Sequence, residues 1–452
     1  MPRGWVLGLL RGLSRSRGSP TLKMFRRAPL LALAALALAA CGGAGSPGSP
    51  PTTVAPAVTA TVEAGSSIGA EEPSGELALQ HVEVLAADIG PRPAGSDAEI
   101  EAASYIADQL RSYGYVVEEQ TFEFTSEFDR EASLRVTVPE ALELWVGAFT
   151  RSAPGSVQGE LVFAGLGWPE DFPPGGLQGA VALLRRGELN LVDKVRNAAE
   201  AGASAAIIFN DSPSFFEGGL ETESAIPVVS ISGEDGERLV ALLEQGPVEV
   251  SLEVGPPADL ISRNIIGRPA SGSCETVSGG HFDSVSQAPG ATDNASGTAT
   301  VLELARTVAA RELPGDHCFV LFGAEEPGLF GSQHFVEALD EAERQELRAM
   351  LNFDMTGVGE PLLLIGSPEL VETAAEAAAG AGVEAEASEP PGGYTSDHSS
   401  FLNADLPAIW FFRDVDTVMH TPEDTADRVQ PDRMEEAVTL ALLLLEELEE
   451  GL

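Results

Sequence analysis

From residue 262 onward, short apolar runs alternate with segments of helical spacing, and this alternation restricts the fold more than any other feature of the chain. Runs at 264–266, 277–280, 319–322, 350–353 and 362–365 are separated by amphipathic stretches at 298–310, 332–338 and 368–379. Strands joined through helices must cross over, which implies a largely parallel sheet with helices on both faces. In such sheets, binding groups gather beyond the carboxyl ends of the strands. Polar residues placed directly after the apolar runs are therefore the first place to look for chemistry. A final helix, expected over 431–449, starts with a proline and carries an apolar run at 440–445, read as packing and not as a membrane span.

Upstream, 77–85 suits a helix and 99–113 is amphipathic and stopped by Gly114, while 115–124 and 132–138 alternate like strands. Residues 140–256 change character. Short β-like runs at 160–163 and 180–184 frame one helix at 191–201, and a buried strand follows at 205–210. The expected organisation is a signal segment over 1–41, a tether over 42–74, an α/β domain over 75–139 and 257–452, and an insert over 140–256.

The N-terminus reads differently from the rest. Residues 1–40 hold seven basic residues and no acidic one. Met24-Phe25-Arg26-Arg27 is a basic start, Ala28 to Leu36 is apolar, and Leu38-Ala39-Ala40-Cys41 follows. This layout is that of a signal peptide, and its end resembles a bacterial lipobox, in which Cys41 becomes the lipidated first residue. Met24 is a plausible start for the chain. The Gly-, Ser-, Pro- and Thr-rich stretch 42–74 then reads as a flexible tether. Taking seven positive charges from the net −44 leaves −51 for the exported chain. Such a balance excludes nucleic acid as a partner, because phosphates would be repelled. Export implies a compartment that permits disulfides. Cys274 lies seven residues before His281, and Cys318 seven before Glu325. If both precede equivalent strand ends they share a level of the sheet, and a disulfide is expected; two buried thiols are the other reading.

Five polar clusters carry potential ligands: His281 in G-G-H-F-D-S, Asp293 in A-T-D-N-A-S-G, Glu326 in A-E-E-P-G, Asp354 in N-F-D-M-T-G and His420 in M-H-T-P-E-D-T. Imidazole and carboxylate together suit zinc. Two histidines and three carboxylates exceed what one tetrahedral ion takes and fit a pair of ions. His81, His317 and His334 stand outside any cluster and read as structural.

The five clusters, in this order, resemble the two-zinc aminopeptidase family that includes aminopeptidase Y, secreted bacterial leucyl aminopeptidases and glutamate carboxypeptidase II. The stretch Gly179 to Gly187, with Lys194-Val195-Arg196-Asn197-Ala198 and Ala201-Gly202-Ala203, resembles a protease-associated domain. The resemblance implies a zinc-exopeptidase fold, a mixed and largely parallel sheet sandwiched by helices with that small β-rich insert. It also implies two Zn2+ per chain held by His281, Asp293, Glu326, Asp354 and His420, with Asp293 as the bridge. Glu325 would be the general base, acting on a water activated by the metal pair. Asp283 would orient the His281 imidazole. Ser396-Asp397-His398 is similar to a family segment near the site. It suits a pocket wall (Asp397, His398) and not a hydrolase triad, whose members meet in space instead of in sequence.

One departure from the family is Met419, where some members carry a tyrosine beside the last histidine to hold the oxyanion. Tyr394 is a candidate substitute. The implied activity is removal of N-terminal residues from peptides outside the cytoplasm, by an enzyme lipid-anchored to the outer face of the cell membrane or secreted. Carboxypeptidase-type and glutaminyl-cyclase-type relatives are the near alternatives, and a non-catalytic peptide- or metal-binding lipoprotein is the distant one.

Overall fold

The computed structural model describes residues 71–450 apart from 128–129, 217, 392–393 and 414–416. The signal segment with Cys41, and the tether up to residue 70, lie outside the described residues.

Two eight-stranded sheets organise the chain. The first runs Val116–Ser126, Ala258–Arg268, His317–Phe322, Thr276–His281, Ala349–Phe353, Ala408–Phe412, Leu362–Gly366, Ala385–Ala387. Its four central strands, from His317–Phe322 to Ala408–Phe412, are mutually parallel. Antiparallel pairings join this centre to the Ala258–Arg268 strand on one side and to Leu362–Gly366 on the other. This is the largely parallel, mixed sheet expected from the alternation.

The central strands are apolar throughout because both faces are covered. In His317–Phe322, Phe319 and Leu321 point into one layer, while Cys318, Val320 and Phe322 point into the other. The first layer is closed by Gly75–Val82, Asp97–Ser112, Gly297–Arg311, Pro368–Ala381 and Pro431–Glu450, and the second by Phe330–Ala338 and His398–Leu402. Each such side chain, fully buried, contributes about 1.5–3 kcal/mol. The last helix buries Leu440, Leu444 and Leu445 against this core. Among the described residues no helix is long and apolar enough to cross a membrane.

The strand Ala408–Phe412 was not among those read from the sequence. Its five residues are all buried, as in the other central strands, but the helix before it, His398–Leu402, is too short to show the alternation that marks those strands. The N-terminal boundary also differs: Ser74 already belongs to the fold. Its hydroxyl caps Gly75–Val82 by accepting from Leu77, and its own N–H donates to buried Glu303 at 2.7 Å.

The second sheet runs Leu142–Leu144, Ala132–Val138, Glu249–Val254, Gly155–Phe163, Val181–Arg185, Ala205–Phe209, Val228–Ile231, Gly147–Ala148. Helices Leu191–Glu200 and Gly233–Leu243 accompany it; the second of these was not read from the sequence. Ala132–Val138 pairs with Glu249–Val254, so this sheet begins before the expected boundary at 140. The chain leaves the first sheet at Ser126 and returns at Ala258, which are partners in register. Arg130 ties this junction, donating to the carbonyls of Gly255 and Ser152.

Cys274 and Cys318 are joined by a disulfide with Cα atoms 5.3 Å apart. Their levels differ from the expectation. Cys318 faces Val277 across the ladder and His281 faces Phe322, so Cys274 sits in the turn before its strand and reaches across to its partner.

Candidate metal centre

The parallel strands deliver their ends to one place. His281 is the last residue of its strand, Asp354 follows Ala349–Phe353, and Glu325 and Glu326 lie three and four residues past Phe322. Asp293 precedes the helix Gly297–Arg311, and His420 lies in the loop after Ala408–Phe412. The approach is close. A Cβ on Gly280 would stand 2.3 Å from the Phe353 carbonyl oxygen, and one on Gly297 would stand 2.1 Å from the same atom. Glycine at both positions lets two strands and a helix start converge.

Asp293 lies between the two imidazoles. Its Oδ1 is 3.2 Å from His281 Nε2 and its Oδ2 is 3.2 Å from His420 Nε2. His281 Nε2 is also 3.5 Å from Asp354 Oδ1 and 3.9 Å from Glu325 Oε2, while His420 Nε2 is 3.1 Å from Glu326 Oε2. Two ligand-capable groups result, His281–Glu325–Asp354 and His281–Asp293–Glu326. All six residues line one cavity of about 380 Å³.

This arrangement fits divalent cations. Glu326 Oε1 and Asp354 Oδ1 are buried without a hydrogen-bond partner, a costly state that a bound cation would relieve. The electrostatics point the same way. Burial pushes Glu325 well above the ordinary carboxylate value; His281 opposes this, and Asp397, Asp354 and Glu326 add to it. Burial likewise pushes Glu326 up to about 7, with His420 opposing, and Asp397 up to about 7. Burial disfavours a charged His281, yet Glu325 and Asp354 hold its pKa well above the usual value. Burial would also raise Asp293, but the two imidazoles hold it below the carboxylate range. A divalent ion that binds such carboxylates displaces the protons they retain.

Two buried carboxylates brace the loops. Asp283 accepts from the backbone N–H of both Glu325 (3.1 Å) and Glu326 (3.3 Å). It also lies 3.6 Å from His281 Nδ1, and its carbonyl oxygen is 3.2 Å from the same nitrogen. The carboxylate thus holds the Glu-Glu loop, while the hydrogen bond at the imidazole runs to the Asp283 backbone carbonyl. Asp424 does the same on the other side, accepting from Thr292 (2.8 Å) and Asp293 (3.2 Å). Beneath both lies Arg92, fully buried, which donates to the carbonyls of Phe282, Pro289 and Gly290. Burial lowers its pKa to about 10, while Asp283 and Asp424 oppose that shift, so it stays charged. Neither Asp424 nor Arg92 was singled out in the sequence. Asp424 sat inside the quoted M-H-T-P-E-D-T cluster, and an arginine between two prolines was the signal for Arg92. Four non-glycine residues with positive φ flank the site: Ala324, Leu329, Met355 and His420. Such strain persists only where surrounding contacts over-determine the backbone.

The cavity wall away from the carboxylates is apolar: Leu329, Met355, Trp410, Phe412 and Met419, with Tyr394 at the rim. Asp397 and His398 do not line it. His398 stands behind the wall, stacked on Trp410 with ring centroids 5.0 Å apart, and burial lowers its pKa to about 4. His81, His317 and His334 are remote, packed respectively against Tyr105, Thr276 and Phe122.

The sequence pattern of Peptidase family M28 matches residues 264–445, and that of the PA domain matches residues 157–239. Aminopeptidase YwaD of Bacillus subtilis (strain 168) is 33% identical over 384 residues, 80% of this chain and 82% of that protein. The chain belongs to peptidase family M28. A solved M28 relative described as "BSAP, a zinc aminopeptidase from Bacillus subtilis" superposes with a TM-score of 0.74 at 31% identity, covering 84% of this chain and 96% of that one. A Mycobacterium tuberculosis protein named "Probable lipoprotein aminopeptidase LpqL" is 33% identical over 300 residues, 62% of this chain and 57% of that protein. The PA match falls within the second sheet of this M28 peptidase.

Proposed function

We propose that this M28 peptidase is a zinc-dependent aminopeptidase that removes apolar N-terminal residues from peptides, using two ions and Glu325 as general base. The observation that carries the two-ion reading is Asp293, whose two oxygens each face a different imidazole at 3.2 Å. His281 and Asp354 would hold one ion, Glu326 and His420 the other, and Asp293 both. Bound zinc supplies Lewis-acid polarisation of the scissile carbonyl and lowers the pKa of water.

The chain's own residues do the rest. Glu325, pushed up by its buried surroundings, takes a proton from the attacking water and passes it to the leaving amine. Asp283 fixes where that carboxylate stands by holding its backbone N–H. The apolar wall of Met355, Trp410, Phe412 and Met419 receives the first side chain. The nearby carboxylates attract the free α-ammonium, which explains action at the N-terminus. Tyr394, which lines the same cavity, is the candidate donor to the developing oxyanion in place of the tyrosine absent at position 419.

Purified protein assayed on leucyl- and phenylalanyl-arylamides should lose activity with a chelator and regain it with zinc, and should bind close to two zinc ions per chain. Activity indifferent to chelation would end this reading, and a stoichiometry of one would end the two-ion part of it. Export and anchoring through Cys41 are supported by the lipobox and by the name of the mycobacterial relative. Changing Cys41→Ser should move the protein out of the membrane fraction.

A further inference from the structure

A second cavity, of about 470 Å³, opens from the metal centre toward the second sheet. Glu326 lines both cavities, so the two meet at a proposed ligand. The lining of this second cleft includes Glu326, Pro327 and Gln287 of the first domain and Trp145 and Phe215 of the insert. It is therefore walled by both domains.

The insert side is a built aromatic surface. Trp145 is 56% exposed, which is unusual for the side chain with most apolar area to bury. Its ring packs on Phe215 with centroids 4.1 Å apart. Phe215 in turn lies over Gly147, where a Cβ would stand 2.8 Å from the phenyl ring. The glycine thus seats the pair on the edge strand Gly147–Ala148, and the rings are held in place before any ligand arrives. Among the described residues lining the cleft, only Arg130 and Glu326 are charged. Arg130 already spends its donors on the Gly255 and Ser152 carbonyls. A neutral cleft in a chain of net charge −44 suits a neutral, extended peptide with apolar side chains, and not a charged ligand.

The direction follows from the reaction, and to that extent rests on the aminopeptidase reading above. A substrate whose first residue fills the apolar pocket has nothing before it. Whatever extends away from the cut bond is the part beyond it, and the cleft that meets the metal centre at Glu326 is the adjoining space for that part. We propose that Trp145 and Phe215 of the insert form a binding subsite for the substrate segment C-terminal to the scissile bond. The insert then makes the enzyme favour oligopeptides with an apolar residue a few positions past the cut over short substrates.

The test compares the zinc-loaded enzyme with Trp145→Ala and Phe215→Ala variants on leucyl-arylamide and on leucyl oligopeptides of two to six residues, with and without a downstream phenylalanine. For each protein the ratio of kcat/KM on hexapeptide to that on arylamide is the readout. We expect the ratio to fall about tenfold in either variant, mainly through KM, as for truncation of a central aromatic contact. Trp145→Phe should retain most of it. A ratio unchanged in both alanine variants would overturn the subsite, as would an equal fall on all substrates, which marks a structural role or a different partner for the pair. A wild-type enzyme inactive on arylamide and peptides alike would overturn the aminopeptidase reading, and the subsite with it.

Discussion

The two sheets of this protein are alike in size and unlike in chemistry. Each has eight strands, and each has a run of parallel strands, Gly155–Phe163, Val181–Arg185, Ala205–Phe209 and Val228–Ile231 in the second. In the first sheet the residues at and just beyond the strand ends are His281, Glu325, Glu326 and Asp354. In the second the first residues past the strands are Ala164, Arg186, Asn210 and Ser232, and the acids that follow, Glu188, Asp211 and Glu234, are exposed. Among the described residues both metal-capable groups lie on the first sheet. The same architecture thus presents a reactive centre in one case and a packing and binding surface in the other. The strand order creates a place for a site, and the side chains at the strand ends decide whether one exists.

The sharpest way to break this contrast is Glu325→Gln. If the chemistry resides at the ends of the first sheet, kcat should fall by about 10²–10⁴-fold with zinc content unchanged. A fall below tenfold, measured with metal analysis on the same sample, would move the base elsewhere.

The next effect concerns stability of the first domain. Burial pushes Glu99 up to about 7, with the Ser262 hydroxyl opposing through a hydrogen bond. The folded form therefore keeps its proton between the ordinary glutamate value and 7, where the unfolded chain has lost it. Folding then binds more protons, so this group makes stability fall as pH rises through that window, by up to about 3 kcal/mol. Glu99→Gln should flatten the fall, read as the difference in unfolding free energy between pH 5 and 7. A wild-type slope shared by the variant would refute it.

A smaller change is expected from Asp424→Asn, which can accept only one of the two N–H groups that position the Asp293 loop. Zinc affinity should drop about 10–100-fold, with kcat recovering at saturating zinc. Loss of kcat that zinc does not restore would make Asp424 more than a brace. The smallest effect is the mirror experiment on the second sheet. Asp211, exposed just past Ala205–Phe209, should tolerate Asp211→Asn with less than about a twofold change in kcat, as surface changes usually do.

The legible parts of this protein were those with a local cause. Alternation of apolar runs with helical spacing announced the parallel sheet, and the polar clusters after those runs announced where ionisable groups would collect. Features with a non-local cause were missed or misplaced. Ala408–Phe412 follows a helix of only five residues and so lacks the alternation that marked the other strands. The start of the second sheet at Ala132 depends on pairing with Glu249–Val254, more than a hundred residues away. Asp397 and His398 were expected at the pocket wall from a family resemblance; they do not line the cavity, and His398 instead backs the wall residue Trp410.

Residue types and their order by themselves determined the fold class, the acidic surface and the set of ionisable groups available for metal. Burial and convergence were decided by the tertiary structure alone. Asp293 faces two imidazoles because strands separated by over a hundred residues end at one level. Arg92 and Asp424 brace that point because their partners are backbone groups, which every residue carries and no sequence motif records. The meeting of Glu326 and Trp145 in the lining of one cavity likewise depends on packing between the first domain and the insert.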